Sequence, residues 1–274
     1  MVCYWRNFYR LVPVTVAAGR TTSVGLDFRR SIGYFVTTPI FYVNAAPHIG
    51  HLYSALLADA SNRWYILKHP SEKTLFVTGS DEHGIKDVFR HFNISNSDFI
   101  RTTEERHVKA VTAFWNKLLE SGSIYKAKYS GWYCVSDETY YSEREIEDAV
   151  MPDGTKAKVS TSSGHKVEWT TEENYLFALT KYESKLRKWL QESGVVQPSY
   201  IHQFLMNSFH NISDVSVSRQ RDRCPWGIEV PGDASQTIYV WFDALVNYLT
   251  AAGYPNKITR WPPDCQLVGK DIIK

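Results

Sequence analysis

Phe35-Val-Thr-Thr-Pro-Ile-Phe-Tyr-Val43 runs straight into Asn44-Ala-Ala-Pro-His-Ile-Gly-His51, and this stretch decides the fold. Its first part is β-branched and aromatic with no polar alternation, the pattern of a strand buried on both faces. Asn44 to Pro47 is a tight break. From His48 the spacing of Leu52, Leu56, Ala60, Trp64 and Leu67 predicts a helix, closed by His69-Pro70-Ser71. Thr74-Leu-Phe-Val-Thr78 is a second strand, followed by Gly79-Ser80-Asp81-Glu82-His83-Gly84. Strand, helix and strand in this order predict a parallel sheet with a right-handed crossover, hence an α/β fold of the Rossmann-like kind.

Chemistry enters at Pro47-His48-Ile49-Gly50-His51. An H-x-G-H match is expected by chance only ~0.02 times in a chain of this composition. It falls where a parallel strand hands over to a helix, the edge of the sheet at which nucleotides bind and helix N–H groups face phosphate. Gly50 lets a nucleotide approach the backbone. His48 and His51, three apart, share one face of the first turn. There they can hydrogen-bond phosphate oxygens as charge builds during displacement at an α-phosphorus, which is electrostatic stabilisation rather than proton abstraction. Two histidines capping a helix, or half of a metal site, are the alternatives.

Downstream, Thr103–Leu119 reads as a helix with apolar positions Val108, Val111, Phe114, Trp115 and Leu118. After Gly122 the texture changes to short aromatic runs from Tyr125 to Tyr141, a turn at Pro152-Asp153-Gly154 and a loop at Ser160–Gly164, which predict a small β-rich insertion. A long amphipathic helix is expected over Tyr182–Gln191, a loop over Arg221–Ser235 and a strand over Thr237–Val240. Trp241–Ala252 is a helix stopped by Gly253. Gln266–Val268 is a last strand, leading into Gly269-Lys270-Asp271.

Hydrophobic residues are 43% and charged residues 22%, so the chain is neither a disordered tail nor a disulfide scaffold. No run approaches the ~18 apolar residues of a membrane span, and no membrane partner is expected. The net charge of +2 is unevenly placed. Residues 1–30 hold Arg6, Arg10, Arg20, Arg29 and Arg30 against Asp27 alone, so the body is slightly acidic and any nucleic-acid contact must come from local patches. This Arg-rich, hydroxyl-bearing start predicts a mitochondrial presequence over residues 1–31. Cys3, Cys134, Cys224 and Cys265 form no C-x-x-C pair, which fits a reducing compartment.

The blocks FVTTPIFYVNAAPHIGH, TGSDEHGIK, FIRTTEERH, GWYCVSDE, EENYLF, SVSR, PWGIEVPGD, QTIYVWFDALVNY and LVGKDII, in this order, resemble the methionyl-tRNA synthetases, class I aminoacyl-tRNA synthetases. With the Arg-rich start, the resemblance is to their organellar form, in the mitochondrial matrix. It covers about Tyr34 to Lys274. It implies activation of methionine by ATP, taken with Mg2+, to methionyl-adenylate, and transfer to tRNA(Met), by a monomer. His48, Gly50 and His51 match the ATP signature, and Gly269 and Asp271 match residues around the adenosine ribose. Asp81 matches the carboxylate that holds the substrate ammonium; the backbone of Ile40 and the ring of Tyr42 match the amino-acid pocket. Trp241, Ala244 and Tyr248 match its far wall, sharing one helical face, although spacing alone reads them as core. The SVSR block places Arg219 near the site floor. The resemblance also divides the chain: presequence 1–31, first catalytic half 32–124, connective-peptide insertion 125–214 and second half 215–274.

Three departures qualify these expectations. The family's pocket-closing histidine, K-M-S-K-S loop and helical anticodon-binding domain do not occur within residues 1–274, so the chain by itself is expected to be weakly active or inactive. A non-catalytic form that binds methionine or a partner is the alternative. A small adenylyltransferase fits less well, because a phosphorylated acceptor would want Lys or Arg where Trp241 and Tyr248 stand. Secondly, the span from Lys86 to Phe99 is short for the family, and the loss of a covering helix is expected to expose buried strands. Thirdly, the family's insertion often carries a zinc knuckle with paired cysteines. Here Cys134 is followed by Asp137, and Ser162 and His165 stand near the second pair. Cys134, Asp137 and His165 could still bind a metal, but structural zinc wants four closed ligands, so no bound zinc is expected.

Overall fold

The computed structural model describes residues 2–3, 32–41, 49–80, 85–137, 139–151, 154–192, 195–208, 212–258 and 260–269. The opening stretch forms strand β1 (Tyr34–Phe41), helix α1 (Ile49–Lys68) and strand β2 (Thr74–Ser80). A short helix α2 (Ile85–His91) leads to β3 (Asp98–Arg101), and α3 (Glu105–Glu120) follows. β1 pairs parallel with β2, and β2 with β3. Alternate residues serve opposite layers: Phe35, Val77 and Ile100 pack in one cluster, and Tyr34, Val36 and Phe76 in another with Ala55, Ala58 and Phe89.

The α1 surface facing the sheet is made of small or short side chains, Ser54, Ala55, Ala58, Asp59 and Asn62 beside Leu52. Several of its large apolar residues point away: Tyr53 is 58% exposed, Trp64 60% and Leu67 74%. The rings of Tyr34, Phe41 and Phe76 fill the sheet side, so small residues make much of the contact, with Leu52, Leu57 and Tyr65 packed beside them and Tyr65 stacked on Tyr34 at 4.6 Å. Asp59 ties α1 to the loop before β3: it accepts hydrogen bonds from the Ser95 backbone N–H (2.8 Å), the Ser95 hydroxyl (2.5 Å) and Arg63 Nε (2.6 Å). The short crossover does not bare the strands, contrary to expectation. Phe89 and Ile94 fill the place of a longer helix, and Phe76, Val77 and Ile100 stay fully buried.

Between the sheet's halves lies the β-rich insertion. The long strands β4 (Ile124–Cys134) and β8 (Glu168–Phe177) pair antiparallel from Ile124↔Phe177 to Tyr133↔Glu168. β5 (Thr139–Tyr141) folds back on β4, and β6 (Ile146–Val150) and β7 (Lys156–Ser160) form a separate hairpin. Helix α4 (Glu183–Leu190), strand β9 (Val196–Gln197) and helix α5 (Ser199–Ser208) follow. β10 (Val215–Ser216) then closes the β8 edge.

The chain returns through β11 (Ser218–Gln220), β12 (Glu229–Val230) and β13 (Asp233–Ile238), a three-stranded sheet whose last two strands enter the end of the expected Arg221–Ser235 loop. Helix α6 (Val240–Ala252) ends at Gly253, whose φ of 106° is the left-handed C-terminal position that favours glycine. β14 (Cys265–Gln266) re-enters the first sheet parallel to β1, with Cys265 opposite Val36 and Gln266 opposite Thr37. Asp264 fixes this register: it accepts from the Phe35 N–H (2.9 Å), donates its own N–H to the Phe35 carbonyl (2.8 Å) and pairs with Arg260 (2.6 Å). The parallel order is β14-β1-β2-β3; Val2–Cys3 and β9 extend it antiparallel beyond β14. Among the described residues no helix is long and apolar enough to cross a membrane.

Candidate functional site

β1 has β2 on one side, reached through α1, and β14 on the other, reached from far along the chain. That reversal is the topological switch point of an α/β sheet, and ligands settle at the carboxyl ends of its strands. Ile40 and Phe41 end β1 opposite Gly79 and Ser80 of β2. Leu267 extends the β14 register by donating its N–H to the Thr37 carbonyl (3.0 Å) and leads to the half-buried Gly269. α1 begins at Ile49, so Gly50 and His51 lie in its first turn. The His51 ring meets Phe41 edge-on, with centroids 5.7 Å apart.

α6 packs across this sheet on the face opposite α1. Its Tyr248 is buried, and burial pushes its phenol above the usual value, with the Gln266 side chain and the Ile40 backbone pulling the other way. The hydroxyl oxygen of Thr37 is buried without a hydrogen-bond partner, while the Tyr248 hydroxyl leans towards the Gln266 side chain and the Ile40 backbone. Thr37 and Gln266 are register partners, and Tyr248 reaches Gln266 from above, so the three belong to one locality. The three buried polar side chains give this end of the sheet a polar lining beside the switch point.

α6 is held at close range. A Cβ on Gly79 would lie 3.1 Å from Asn247 Oδ1 and 3.1 Å from the Ile100 carbonyl oxygen, so glycine is what lets α6 seat on β2. Asn247, itself buried, is pinned by its Nδ2 donating to the Ala244 carbonyl at 2.8 Å. From α3, the fully buried His107 places Nε2 2.7 Å from Asp243 Oδ1 and Nδ1 2.9 Å from the Thr250 hydroxyl.

At the start of α6, the buried guanidinium of Arg219 lies 3.7 Å from the Tyr239 ring centroid and 5.0 Å from that of Tyr140. A desolvated cation over an aromatic face is stabilised by roughly 2 kcal/mol. Further out in the insertion, the Asp137 carboxylate accepts from Ser163 (2.5 Å), His165 Nδ1 (2.6 Å) and Tyr141 (2.8 Å). Burial alone would raise its pKa, but these bonds, with one from Cys134, outweigh it and hold the group at about 2. Cys134, Asp137 and His165 come within 4.8 Å of one another, a three-residue cluster in which the carboxylate already has its donors.

The structure thus brings Ile40 and Tyr248 together and sets Gly50, His51 and Gly269 at the same sheet edge. Trp241 and Ala244 lie earlier on α6, Trp241 39% exposed. His48, Tyr42, Asp81 and Asp271 lie outside the described residues. Thr37, Gln266, Gly79 and the His107–Asp243 pair are absent from the sequence-derived set. Only Gly79 carries a readable signal, a glycine inside an otherwise β-branched and aromatic strand.

A parallel sheet with crossover helices on one face and a crossing helix on the other, its strand order reversing at β1, defines a Rossmann-like α/β domain. Within that class the sequence is specific: residues 34–88 and 85–274 match the model of the family described as tRNA synthetases class I (M), and the chain belongs to that family. The match breaks and resumes at residues 85–88, where α2 is short. The chain is 43% identical to the mitochondrial methionine–tRNA ligase of Xenopus laevis over 297 aligned positions, covering 98% of this chain and 52% of that protein. It is 46% identical to the mitochondrial methionine–tRNA ligase of Homo sapiens, covering 92% and 47%. The structure is similar to Mycobacterium tuberculosis methionyl-tRNA synthetase in complex with methionyl-adenylate, with a TM-score of 0.75, 35% identity, and coverage of 88% of this chain and 52% of that one. The chain spans about half the length of the curated relatives it matches.

Proposed function

We propose that the chain carries the amino-acid- and nucleotide-binding part of a methionine–tRNA ligase that works in the mitochondrial matrix. In this reading a methionine carboxylate oxygen attacks the α-phosphorus of ATP, supplied with Mg2+. Pyrophosphate leaves, and methionyl-adenylate then passes its methionyl group to a hydroxyl of the terminal adenosine of tRNA(Met), with AMP as the leaving group. His48 and His51 bear the phosphate charge, Gly50 admits the nucleotide, and Gly269 and Asp271 hold the ribose. Asp81 pairs with the ammonium, Ile40 and Tyr42 frame the amino acid, and Trp241, Ala244 and Tyr248 wall its thioether. The observation that carries the reading is the meeting of the buried polar side chains of Tyr248, Gln266 and Thr37 at the β1–β14 switch point, beside the end of Ile40. A methionyl-adenylate-bound structural neighbour and mitochondrial relatives support it.

Residues 1–31 are read as the presequence, 32–124 and 215–274 as the two catalytic halves and 125–214 as the insertion. No zinc is assigned, because a structural site wants four closed ligands and this cluster offers Cys134, Asp137 and His165. The test is exchange of labelled pyrophosphate into ATP. Methionine-dependent exchange, weaker than that of a full-length relative, is expected, and His51→Ala lowers it roughly 10²-fold. Exchange that any amino acid supports equally, or that His51→Ala leaves intact, refutes the assignment.

A further inference from the structure

We propose that Tyr239 is a positioning residue: through the Arg219 guanidinium it lets the β-rich insertion set the place of the α6 turn that carries Trp241 and Ala244. This deepens the reading of α6 as the amino-acid wall and rests on it.

Tyr239 stands immediately before α6 in extended backbone, φ −70° and ψ 140°, with no side-chain cap bond of its own. Three contacts fix it. Its N–H donates to the Val217 carbonyl (2.9 Å), its ring lies on the Arg219 guanidinium at 3.7 Å, and its hydroxyl donates to Thr139 Oγ1 on β5 at 3.3 Å. The same guanidinium faces Tyr140 of β5 at 5.0 Å and Tyr133 of β4 at 5.9 Å. Those rings brace one another: Tyr140 packs against Tyr133 at 4.9 Å and against Tyr129 at 4.8 Å.

Arg219 makes this cage more than packing. It is 3% exposed, and among the described residues it has no carboxylate partner. Nη1 donates to the Ser216 hydroxyl (2.9 Å) and the Ser218 carbonyl (2.8 Å), while Nε has no partner. The charge is therefore stabilised largely by ring faces, an interaction that weakens as a ring shifts or tilts. Arg223 shields the outside, lying 5.2 Å from Tyr133 and pairing with the buried Glu172 at 2.9 Å. Moving the β5 rings thus moves Arg219, and with it the residue from which α6 springs. His107 anchors the same turn from the other side through Asp243. Trp241, two residues beyond Tyr239 and partly exposed, lies at the open end of the wall, where a small displacement alters the pocket.

The experiment compares Tyr239→Leu, Tyr239→Phe and Tyr140→Leu in the full chain. Apart from Arg219, the ring partners of Tyr140 lie in the insertion, so an effect on α6 from Tyr140→Leu must travel through the cage. Hydrogen exchange over residues 240–247 is expected to rise roughly tenfold in both Leu variants while residues 108–118 stay unchanged. Calorimetric methionine affinity falls about tenfold with ATP affinity altered less than about twofold, and Tyr239→Phe restores both readouts to near wild type. Unchanged exchange in α6 for Tyr140→Leu overturns the inference, as does Tyr239→Phe behaving like Tyr239→Leu. If Tyr239→Leu fails to fold, Tyr140→Leu decides. A wild-type chain that takes up no methionine removes the functional reading, while the exchange result still decides the coupling.

Discussion

Replacing Gly79 by alanine tests how closely α6 must sit on the sheet. The new methyl would lie 3.1 Å from Asn247 Oδ1 and 3.1 Å from the Ile100 carbonyl oxygen, a few tenths of an ångström inside ordinary contact on two sides. Neither neighbour yields easily. The Ile100 carbonyl belongs to β3, paired with Gly79 itself, and Asn247 is buried and tied to the Ala244 carbonyl. Overpacking of this kind costs about 1–3 kcal/mol. Alanine also restricts the unfolded chain, which returns about 0.4–1 kcal/mol. The net expectation is destabilisation of about 1–2 kcal/mol, read as a lower urea midpoint at unchanged m-value. A double-mutant cycle sharpens it: Asn247→Ala makes room, so Gly79→Ala should cost about 1 kcal/mol less in that background. Gly79→Ala as stable as wild type, or strict additivity with Asn247→Ala, would falsify the close-approach account.

His107→Leu leaves the Asp243 carboxylate without its ring partner in a half-buried place, and a loss of about 2–3 kcal/mol in urea unfolding is expected, with His107→Gln losing less. Asp264→Ala removes the acceptor for the Phe35 N–H and the partner of Arg260, and should speed amide exchange selectively at β14 and the start of β1. Asp137 has a folded pKa of about 2, below its ordinary 3.8. Its contribution is therefore complete above about pH 4 and is lost as the pH falls through 2. Proton-linked loosening of the Ser160–His165 loop should appear in that window by amide exchange and be absent in Asp137→Asn.

Much of the first crossover was legible because a parallel strand buried on both faces writes itself as an unbroken apolar run. Which residues serve which layer was not, since Phe35 and Val36 read alike until α6 and α1 take opposite sides. The spacing of Leu56, Trp64 and Leu67 is helical, yet these residues face outward, and the sheet side is taken by Leu52, Ser54, Ala55 and Ala58 with Leu57 and Tyr65 beside them. The long β8 was missed: Glu168–Phe177 is half polar and is held as a strand by its partner β4 rather than by its own pattern. In the site, Ile40 and Tyr248 came from the family resemblance. Thr37 and Gln266 could not, since their juxtaposition depends on a register between chain segments that share no local signal.

The most direct test of the central claim is a calorimetric titration of methionine into the wild-type chain and into Tyr248→Ala. The account predicts saturable one-to-one binding that leucine does not reproduce, and at least a tenfold loss in the variant, which opens the wall beside Ile40. No methionine binding by a chain shown to be folded, or equal binding by wild type and Tyr248→Ala, would contradict the placing of an amino-acid pocket at the β1–β14 switch point.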